Sequence, residues 1–373
     1  MNISFQKLFY ILATLFALVA VLIIAQSILI PMGFALILSF IFYPLAKKLE
    51  SWGVNRMIAA FLVIIFTFIV LGGGGFFFFT QIIQLPHELS EFSDKLMVLL
   101  TDIILFINNN LSMKSDLEIG TVLNHLQTWL KNSVFPIAES TFNGTTSFIT
   151  GLVATIIYTF LFLIYRKGLT QAFVNFAKPE NSAKVLNMLK NVQKVGQKYL
   201  SGKLLMILIL GIANSIGLWI LDIDSPFLFG FLAAILSVIP YIGTSLGAVI
   251  PVLYAFMTHD SLMTPALVAI MFISVQLLDD NLLSPMIVGS SMQVNPLASI
   301  LSLIIGAYVW GIAGMILFLP FAAMLKVVCE EFDSLKPIAL MIGTQIYQGK
   351  DYEEKPIEKI VENFRKIIKI KKK

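Results

Sequence analysis

The chain has little cysteine, histidine or charge for its 373 residues. Its single cysteine, Cys329, excludes a disulfide framework, a cysteine-based zinc site and an iron–sulfur cluster, because each of these needs more than one thiolate. Three histidines leave little for metal chemistry, and a net charge of +4 is too small to indicate nucleic-acid binding. The composition is instead 58% hydrophobic and only 13% charged, which predicts an integral membrane protein in a lipid bilayer.

The sequence also lacks the motifs of familiar enzyme classes. It has no HExxH helix, no serine, histidine and acid constellation, no Gly-x-Gly-Asp motif with paired intramembrane aspartates, and no phosphate-binding loop to couple ATP. The run Gly72–Gly75 before Phe76–Phe79 lacks the strand, lysine and hydroxyl of such a loop, and glycines inside a span instead let helices approach closely. We therefore predict no enzymatic activity, no cofactor and no metal site.

Uncharged stretches define the predicted spans of an all-α, polytopic membrane protein. Residues 8–46 carry no charge, and as one helix they would run about 58 Å, nearly twice a bilayer core, so the chain is expected to turn back. The segment Ile30–Gly33 contains a proline and a glycine and is the predicted break. About eight crossings follow, near 8–27, 30–46, 57–83, 146–165, 204–221, 226–257, 262–283 and 298–325.

The distribution of Lys and Arg predicts the orientation. Segment 86–145 has three lysines against seven acids, whereas 166–203 has eight bases against one acid. Because cytoplasmic loops carry the excess of Lys and Arg, both termini are predicted to be cytoplasmic. The predicted parts are helices 1–3 in 1–85, an external amphipathic loop in 86–145, helix 4 in 146–165, a cytoplasmic basic helix in 166–203, helices 5–8 in 204–325 and a charged tail in 326–373.

Two polar segments have helical patterning. The external loop is interpreted as a helical hairpin on the membrane surface, or alternatively as an oligomer contact or a lid. In 182–203, apolar residues recur at helical spacing while lysines occupy other faces, which favours contact with anionic lipid. The external loop and this amphipathic helix also favour self-association into a homo-oligomer.

The sixth predicted span, 226–257, has an interrupted middle. As one straight helix it would run about 48 Å, and it contains Pro240, Gly243, Gly247 and Pro251. Freed backbone groups at this depth are tolerated only where protein or a water-filled cavity covers them. Such interrupted helices indicate a transporter site, because exposed carbonyls hold an ion or a polar group. The alternative is a simple kinked helix.

A second polar segment, Gln276–Pro285, contains two adjacent acids. A carboxylate in hydrocarbon is costly, so Asp279 and Asp280 should face a cavity, a partner or the interface. Neighbouring helix positions point about 100° apart, so both acids cannot line one narrow face, whereas Gln276 and Asp280 share a face. The alternative places both acids at the wet outer end of the span.

At these segments the chain resembles the autoinducer-2 exporter family, the group that includes the PerM-type permeases. The matching stretches are Tyr199–Lys203, Ile239–Pro251, Gln276–Pro285 and Gly306–Gly314, followed by Leu319–Phe321 and Lys326. The resemblance implies a secondary transporter of the bacterial inner membrane that does not hydrolyse ATP. Within the family, both export of autoinducer-2 and exchange of sodium or lithium for protons have been proposed.

Three functions stay open at this point: outward transport of a small polar solute such as autoinducer-2, sodium(lithium)/proton antiport, and a non-transport membrane scaffold. A polar organic solute would be bound by Tyr241, Thr244, Ser245, Gln276 and Asn281, whereas a cation would be held by the two acids, Asn281 and the carbonyls of residues 240–251. In gradient-driven transport, Asp279 or Asp280 would carry the coupling proton or cation. A scaffold should tolerate Gly243→Ala or Gly247→Ala. The predicted pathway or binding residues are Pro240, Tyr241, Gly243, Thr244, Ser245, Gly247, Pro251, Gln276, Asp279, Asp280, Asn281 and Pro285.

Overall fold

The computed structural model describes residues 5–82, 145–239, 242–259, 261–289 and 294–344. In these ranges the chain is almost entirely helical and forms no β-strand beyond an isolated bridge between Val294 and Gly343. The predicted all-α class is therefore confirmed for this part of the chain. Residues 83–144, which hold nearly all of the predicted external loop, and residues 345–373 of the predicted tail lie outside it.

The helices follow one another with short connections. They are α1 (Phe5–Ile24), α2 (Gln26–Ser51), α3 (Arg56–Ile82), α4 (Thr145–Asn175), α5 (Ser182–Ile220), α6 (Pro226–Leu236), α7 (Ile242–Thr258), α8 (Met263–Leu278), α9 (Pro296–Glu331) and α10 (Lys336–Ile342). A short 3-10 turn, Pro179–Asn181, precedes α5, and two wide π-helical turns, Asp279–Leu283 and Pro285–Gly289, follow α8.

Five helical segments of the described chain are long and apolar enough to cross a bilayer. They are Gln26–Ser51, Ile149–Asn175, Pro179–Ile220, Met263–Ile287 and Pro296–Glu331. The remaining apolar helices are shorter: Leu12–Ile24, Arg56–Ile69, Pro226–Leu236 and Gly243–Phe256. Length and composition thus support a multi-pass membrane protein, while the number of eight crossings stays a prediction.

The burial pattern is that of helices surrounded by lipid. Large apolar side chains point outward, including Phe16, Ile24 and Trp219, which are 77%, 82% and 71% exposed. The buried serine and threonine side chains bond within their own helix. Ser215 donates to the Gly211 carbonyl at 2.6 Å, for example. Internal pairing of this kind is required because a polar group left unbonded in hydrocarbon costs several kcal/mol.

The first interruption falls at Ala25, so the predicted break at Ile30–Gly33 is wrong. Helix α2 continues through Pro31. A Cβ added at Gly33 would lie 3.2 Å from the side chains of Leu317 and Phe321, so Gly33 serves close packing against α9. Proline is tolerated inside membrane helices because neighbouring groups satisfy the backbone that it frees.

The segment 226–257 is interrupted, as predicted, but it forms two helices packed antiparallel instead of one crossing. A Cβ added at Gly243 would lie 1.7 Å from the carbonyl oxygen of Leu236, and one at Gly247 would lie 2.8 Å from Cα of Ala233. Later residues of α7 therefore pair with earlier residues of α6. With 11 residues, α6 extends about 16 Å, roughly half of a bilayer core. We call α6 and α7 together the first hairpin.

Helix α9 also folds back on itself, which corrects the prediction of a single span at 298–325. The backbone leaves helical geometry at Trp310 and Gly311, where Gly311 has a φ of 59°. A Cβ added at Gly306 would lie 2.4 Å from the carbonyl oxygen of Gly314, although residues eight apart in a straight helix are separated by about 12 Å. We call residues 296–331 the second hairpin.

The tip of the second hairpin is anchored to α1. The indole Nε1 of Trp310 donates to the carbonyl oxygen of Leu22 at 2.9 Å. The Trp310 ring also packs edge-on against Phe318, with ring centroids 5.3 Å apart. This tip is therefore held in place by both a hydrogen bond and aromatic packing.

A cluster of charges joins α2, α3 and α4. The Arg166 guanidinium is hydrogen-bonded to the Glu50 carboxylate and lies 5.0 Å from the ring centroid of Tyr43. The Arg56 Nε atom lies 3.9 Å from Glu50 Oε1, and Arg56 Nη1 donates to the Ile164 carbonyl at 3.4 Å. One carboxylate thus balances two guanidinium groups on two other helices.

We expect Glu50→Gln to lower the free energy of unfolding by about 1–3 kcal/mol, because both guanidinium groups lose their carboxylate in a partly buried site. Denaturant unfolding of the purified protein in detergent measures the change. Asp333→Asn is the control, since Asp333 pairs with Lys336 at the exposed surface, where that ammonium holds the pKa of Asp333 below its usual range. The control should leave the unfolding midpoint unchanged. Equal losses in both variants would contradict the role of the cluster.

Helix α5 joins the predicted cytoplasmic helix and the following span without a break. Val185, Gly196 and Tyr199 are buried, whereas Lys190 and Lys194 are exposed, which is the amphipathic pattern that the sequence predicts. The 39 residues of α5 therefore extend well beyond a single bilayer crossing.

The second hairpin extends past the predicted start of the tail at residue 326. Lys326 is only 5% exposed, and its Nζ atom lies 2.6 Å from Glu330 Oε1. The thiol of Cys329, which is 2% exposed, lies in the same turns. The beginning of the predicted charged tail is thus part of the packed helical body.

Candidate functional site

Four parts of the chain meet at one apolar cluster, which we call the central cluster. Its buried members come from α5, α6 and the second hairpin, and the π-helical turns after α8 pack against it. The members are Tyr199, Met206, Leu210, Ala234 and Leu319, with Leu283 and Ile287 packed against them. The end of the short helix α6 therefore lies next to the widened turns that carry the acidic pair.

Asp279 lies inside the protein beside this cluster. Its side chain is 7% exposed, and Ser284 Oγ donates to its Oδ1 at 2.8 Å. The Asp279 carboxylate also interacts electrostatically with the Lys203 ammonium on α5. Wide π turns place Ser284 within reach of Asp279, and such turns are frequent at functional sites. A buried acid, a hydroxyl and a lysine from a second helix thus form one polar site.

Asp280 points the other way, as the angular argument predicts. Its side chain is exposed and accepts a hydrogen bond from Gln276 Nε2 at 2.9 Å, which confirms that Gln276 and Asp280 share a face. Asn281 is also exposed and donates to the Leu277 carbonyl at 2.8 Å. These three residues satisfy one another or their own helix, and Asp279 is the acid that faces inward.

The predicted residues around the first hairpin separate into different roles. Gly243 and Gly247 lie where the two helices touch, and Pro251 is buried in α7. Ser245 is exposed, Thr244 is half-buried, and Pro240 and Tyr241 lie outside the described residues. Pro285, at the start of the second π turn, is exposed. Among the described residues the site is therefore built around Asp279, with the glycines shaping the hairpin beside it.

Comparison with known proteins gives the family. A model of AI-2E family transporters matches residues 11–334. The chain belongs to the AI-2E transporter family. It is 26% identical over 313 residues to "Putative transport protein YrrI" of Bacillus subtilis, covering 83% of this chain and 88% of that relative. It is 24% identical over 336 residues to "AI-2 transport protein TqsA" of Escherichia coli, covering 86% and 90% respectively. The resemblance inferred from the motifs is confirmed.

In this AI-2E family chain, the sequence motifs did not reveal the partners of Asp279. In the sequence, Lys203 is only the end of the Tyr199–Lys203 motif, and Ser284 is only part of the polar stretch after α8. No motif marks Asn214, which is buried in α5. The sequence nevertheless distinguishes Asn214, because it is a polar residue within a long apolar run.

Across 5–82, 145–239, 242–259, 261–289 and 294–344, no group of three or more His, Cys, Asp or Glu side chains comes together. Membership of a transporter family, with several apolar helices, makes the chain a multi-pass membrane protein.

Proposed function

We propose that the chain is a secondary transporter of the bacterial inner membrane that moves a small polar solute such as autoinducer-2 outward, with both termini in the cytoplasm. Family membership supports transport as the general role. The name of the relative TqsA supports autoinducer-2 as the first solute to test. The surplus of Lys and Arg in 166–203 supports the orientation.

The observation that carries the proposal is the polar site around Asp279 in an otherwise apolar region. Asp279 and Lys203 come from two helices, and the first hairpin ends close by at the central cluster. Charged side chains in membrane helices usually pair with each other and line a solute route. Movement of the first hairpin relative to α8 would open this site toward one side of the membrane at a time.

The charge balance of the site favours a polar organic solute over a bare cation. A sodium or lithium ion is best held by several oxygen ligands with net negative charge. Here the Lys203 ammonium already interacts with the buried Asp279 carboxylate, and it would repel a second cation. A neutral solute with hydroxyl groups can bond both side chains without disturbing that balance.

Inside-out membrane vesicles test the proposal directly, because export from the cell becomes uptake into the vesicle. Vesicles that contain the protein should accumulate autoinducer-2 when a proton or sodium gradient is imposed, and a protonophore or sodium ionophore should abolish the uptake. The variant Gly151→Ala should take up autoinducer-2 as the wild type does, since an added Cβ there meets nothing within 4 Å.

Two other outcomes would overturn the proposal. Proton movement in response to sodium or lithium, read with an internal pH dye and without autoinducer-2 uptake, would indicate the antiporter. Absence of any flux in protein that unfolds cooperatively would indicate a membrane scaffold.

A further inference from the structure

Asn214 lies at the junction between two apolar clusters. It is 5% exposed and sits one turn from Leu210 and one turn from Leu218 on α5. Leu210 belongs to the central cluster, whereas Leu218 belongs to a second cluster that contains Phe229 of α6 and Phe272 of α8. The Asn214 side chain is therefore enclosed where α5 meets the first hairpin and α8.

The carboxamide oxygen of Asn214 accepts no hydrogen bond from the residues that the structure describes. Its neighbour Ser215 is equally buried and is satisfied by the Gly211 carbonyl, as Thr159 is by the Thr155 carbonyl at 2.7 Å. An asparagine side chain in a membrane helix normally bonds across to another helix. Asn214 Oδ1 lacks such a donor, so its burial opposes folding.

A buried asparagine with an unsatisfied Oδ1 atom contributes nothing to packing that an apolar side chain would not contribute. Leucine has the same branching and the same number of side-chain heavy atoms as asparagine, would complete the apolar surface between the two clusters and would remove the desolvation cost. Polar residues that are costly inside a membrane mark solute or ion routes. A hydrogen-bond donor that enters the junction would satisfy this oxygen.

We infer that Asn214 is a solute-binding residue, and that its Oδ1 atom accepts a hydrogen bond from a hydroxyl group of the transported solute. The inference rests on the proposed function and extends it from the Asp279 site to a second contact on α5. One carboxamide oxygen between two apolar clusters suits a neutral hydrogen-bond donor, because an alkali cation requires several oxygen ligands. The open junction between α5, the first hairpin and α8 would then be part of the route.

The test compares Asn214→Leu with wild type in two measurements on the same preparation. For autoinducer-2 uptake into inside-out vesicles, we expect the KM to rise about tenfold, since a lost hydrogen bond and an unmatched solute hydroxyl oppose binding. In detergent, we expect the thermal unfolding midpoint to stay equal to wild type or to rise. Loss of affinity without loss of stability is not expected of a residue that only packs.

Two further variants keep the result interpretable. Ser215→Ala removes a buried hydroxyl that is satisfied within its own helix, and its KM should stay within about twofold of wild type. Asn214→Ala repeats the test with a side chain too small to crowd the site, should leucine prevent folding.

The outcomes separate this inference from the proposed function. An unchanged KM in the Asn214 variants, with normal wild-type uptake, would overturn the role of Asn214 alone. A fall in stability with an unchanged KM would assign the residue to packing. Absence of autoinducer-2 uptake in folded wild-type protein would overturn both the proposed function and this inference.

Discussion

Gly243→Ala is expected to lower transport at least tenfold, an effect of about 1.4 kcal/mol or more, because the new methyl group has no room in the first hairpin. The Cβ position lies 1.7 Å from the Leu236 carbonyl oxygen, and a backbone atom cannot move aside as a flexible side chain would. The two helices must separate, and overpacking of this kind typically costs about 1–3 kcal/mol. Uptake into inside-out vesicles and unfolding in detergent should be measured on the same sample.

A graded series of alanine substitutions tests the cause. Gly247→Ala should have a smaller effect than Gly243→Ala, since its Cβ would lie 2.8 Å from Cα of Ala233. Gly168→Ala in α4 should behave as wild type, because an added Cβ there meets nothing within 4 Å. Equal transport in the Gly243 and Gly168 variants would show that the closeness of α6 and α7 is not required.

The same contacts change how a scaffold is distinguished from a transporter. The sequence suggests that a scaffold should tolerate an alanine at Gly243, but the hairpin is strained by that change whatever the protein does. Loss of stability alone therefore does not discriminate between the two functions. Transport relative to the amount of folded protein is the informative quantity.

The second large effect is expected for Asp279→Asn, which should lower transport at least tenfold and the free energy of unfolding by about 1–3 kcal/mol. Asparagine keeps an oxygen that can accept the Ser284 hydroxyl but removes the charge that balances Lys203. Asp280→Asn is the matched control one residue away. Because Asp280 is exposed and bonds only Gln276 among the contacts described for it, its variant should keep most of the activity.

A double substitution examines the electrostatic interaction of Asp279 with Lys203. Lys203→Met should destabilise the protein on its own, because it removes a nearby positive charge from the buried carboxylate. The combination with Asp279→Asn should be less destabilising than the sum of the two single changes. Additive losses, or a larger loss of transport in Asp280→Asn than in Asp279→Asn, would contradict the assignment of Asp279 as the inward-facing acid.

The parts of the fold that were predictable are those that follow from periodicity and charge. The helical class follows from long apolar runs, and the opposite directions of Asp279 and Asp280 follow from the 100° between successive helix positions. The amphipathic start of α5 follows from the spacing of its lysines. Each of these properties depends on residues that are close together in the chain.

The second hairpin was not predictable for the opposite reason. Trp310 and Gly311 lie in a continuously apolar run, so no polar residue marks the point where the chain folds back. Pro31 looked like a break, yet it is buried within α2. The electrostatic interaction of Lys203 with Asp279 joins distant parts of the chain and depends on how α5 and α8 pack. The order of apolar, polar and charged residues along one segment contains no information on such contacts.

The burial of Cys329 makes the wild-type chain a ready background for thiol chemistry. This residue is the one cysteine in the sequence, and with 2% exposure it should react slowly with maleimide reagents in the folded state. Cysteines introduced one at a time into the connections between helices would then report their side of the membrane without removal of the native thiol. Labelling with membrane-impermeant reagents would show whether the first hairpin enters and leaves the bilayer on the same side.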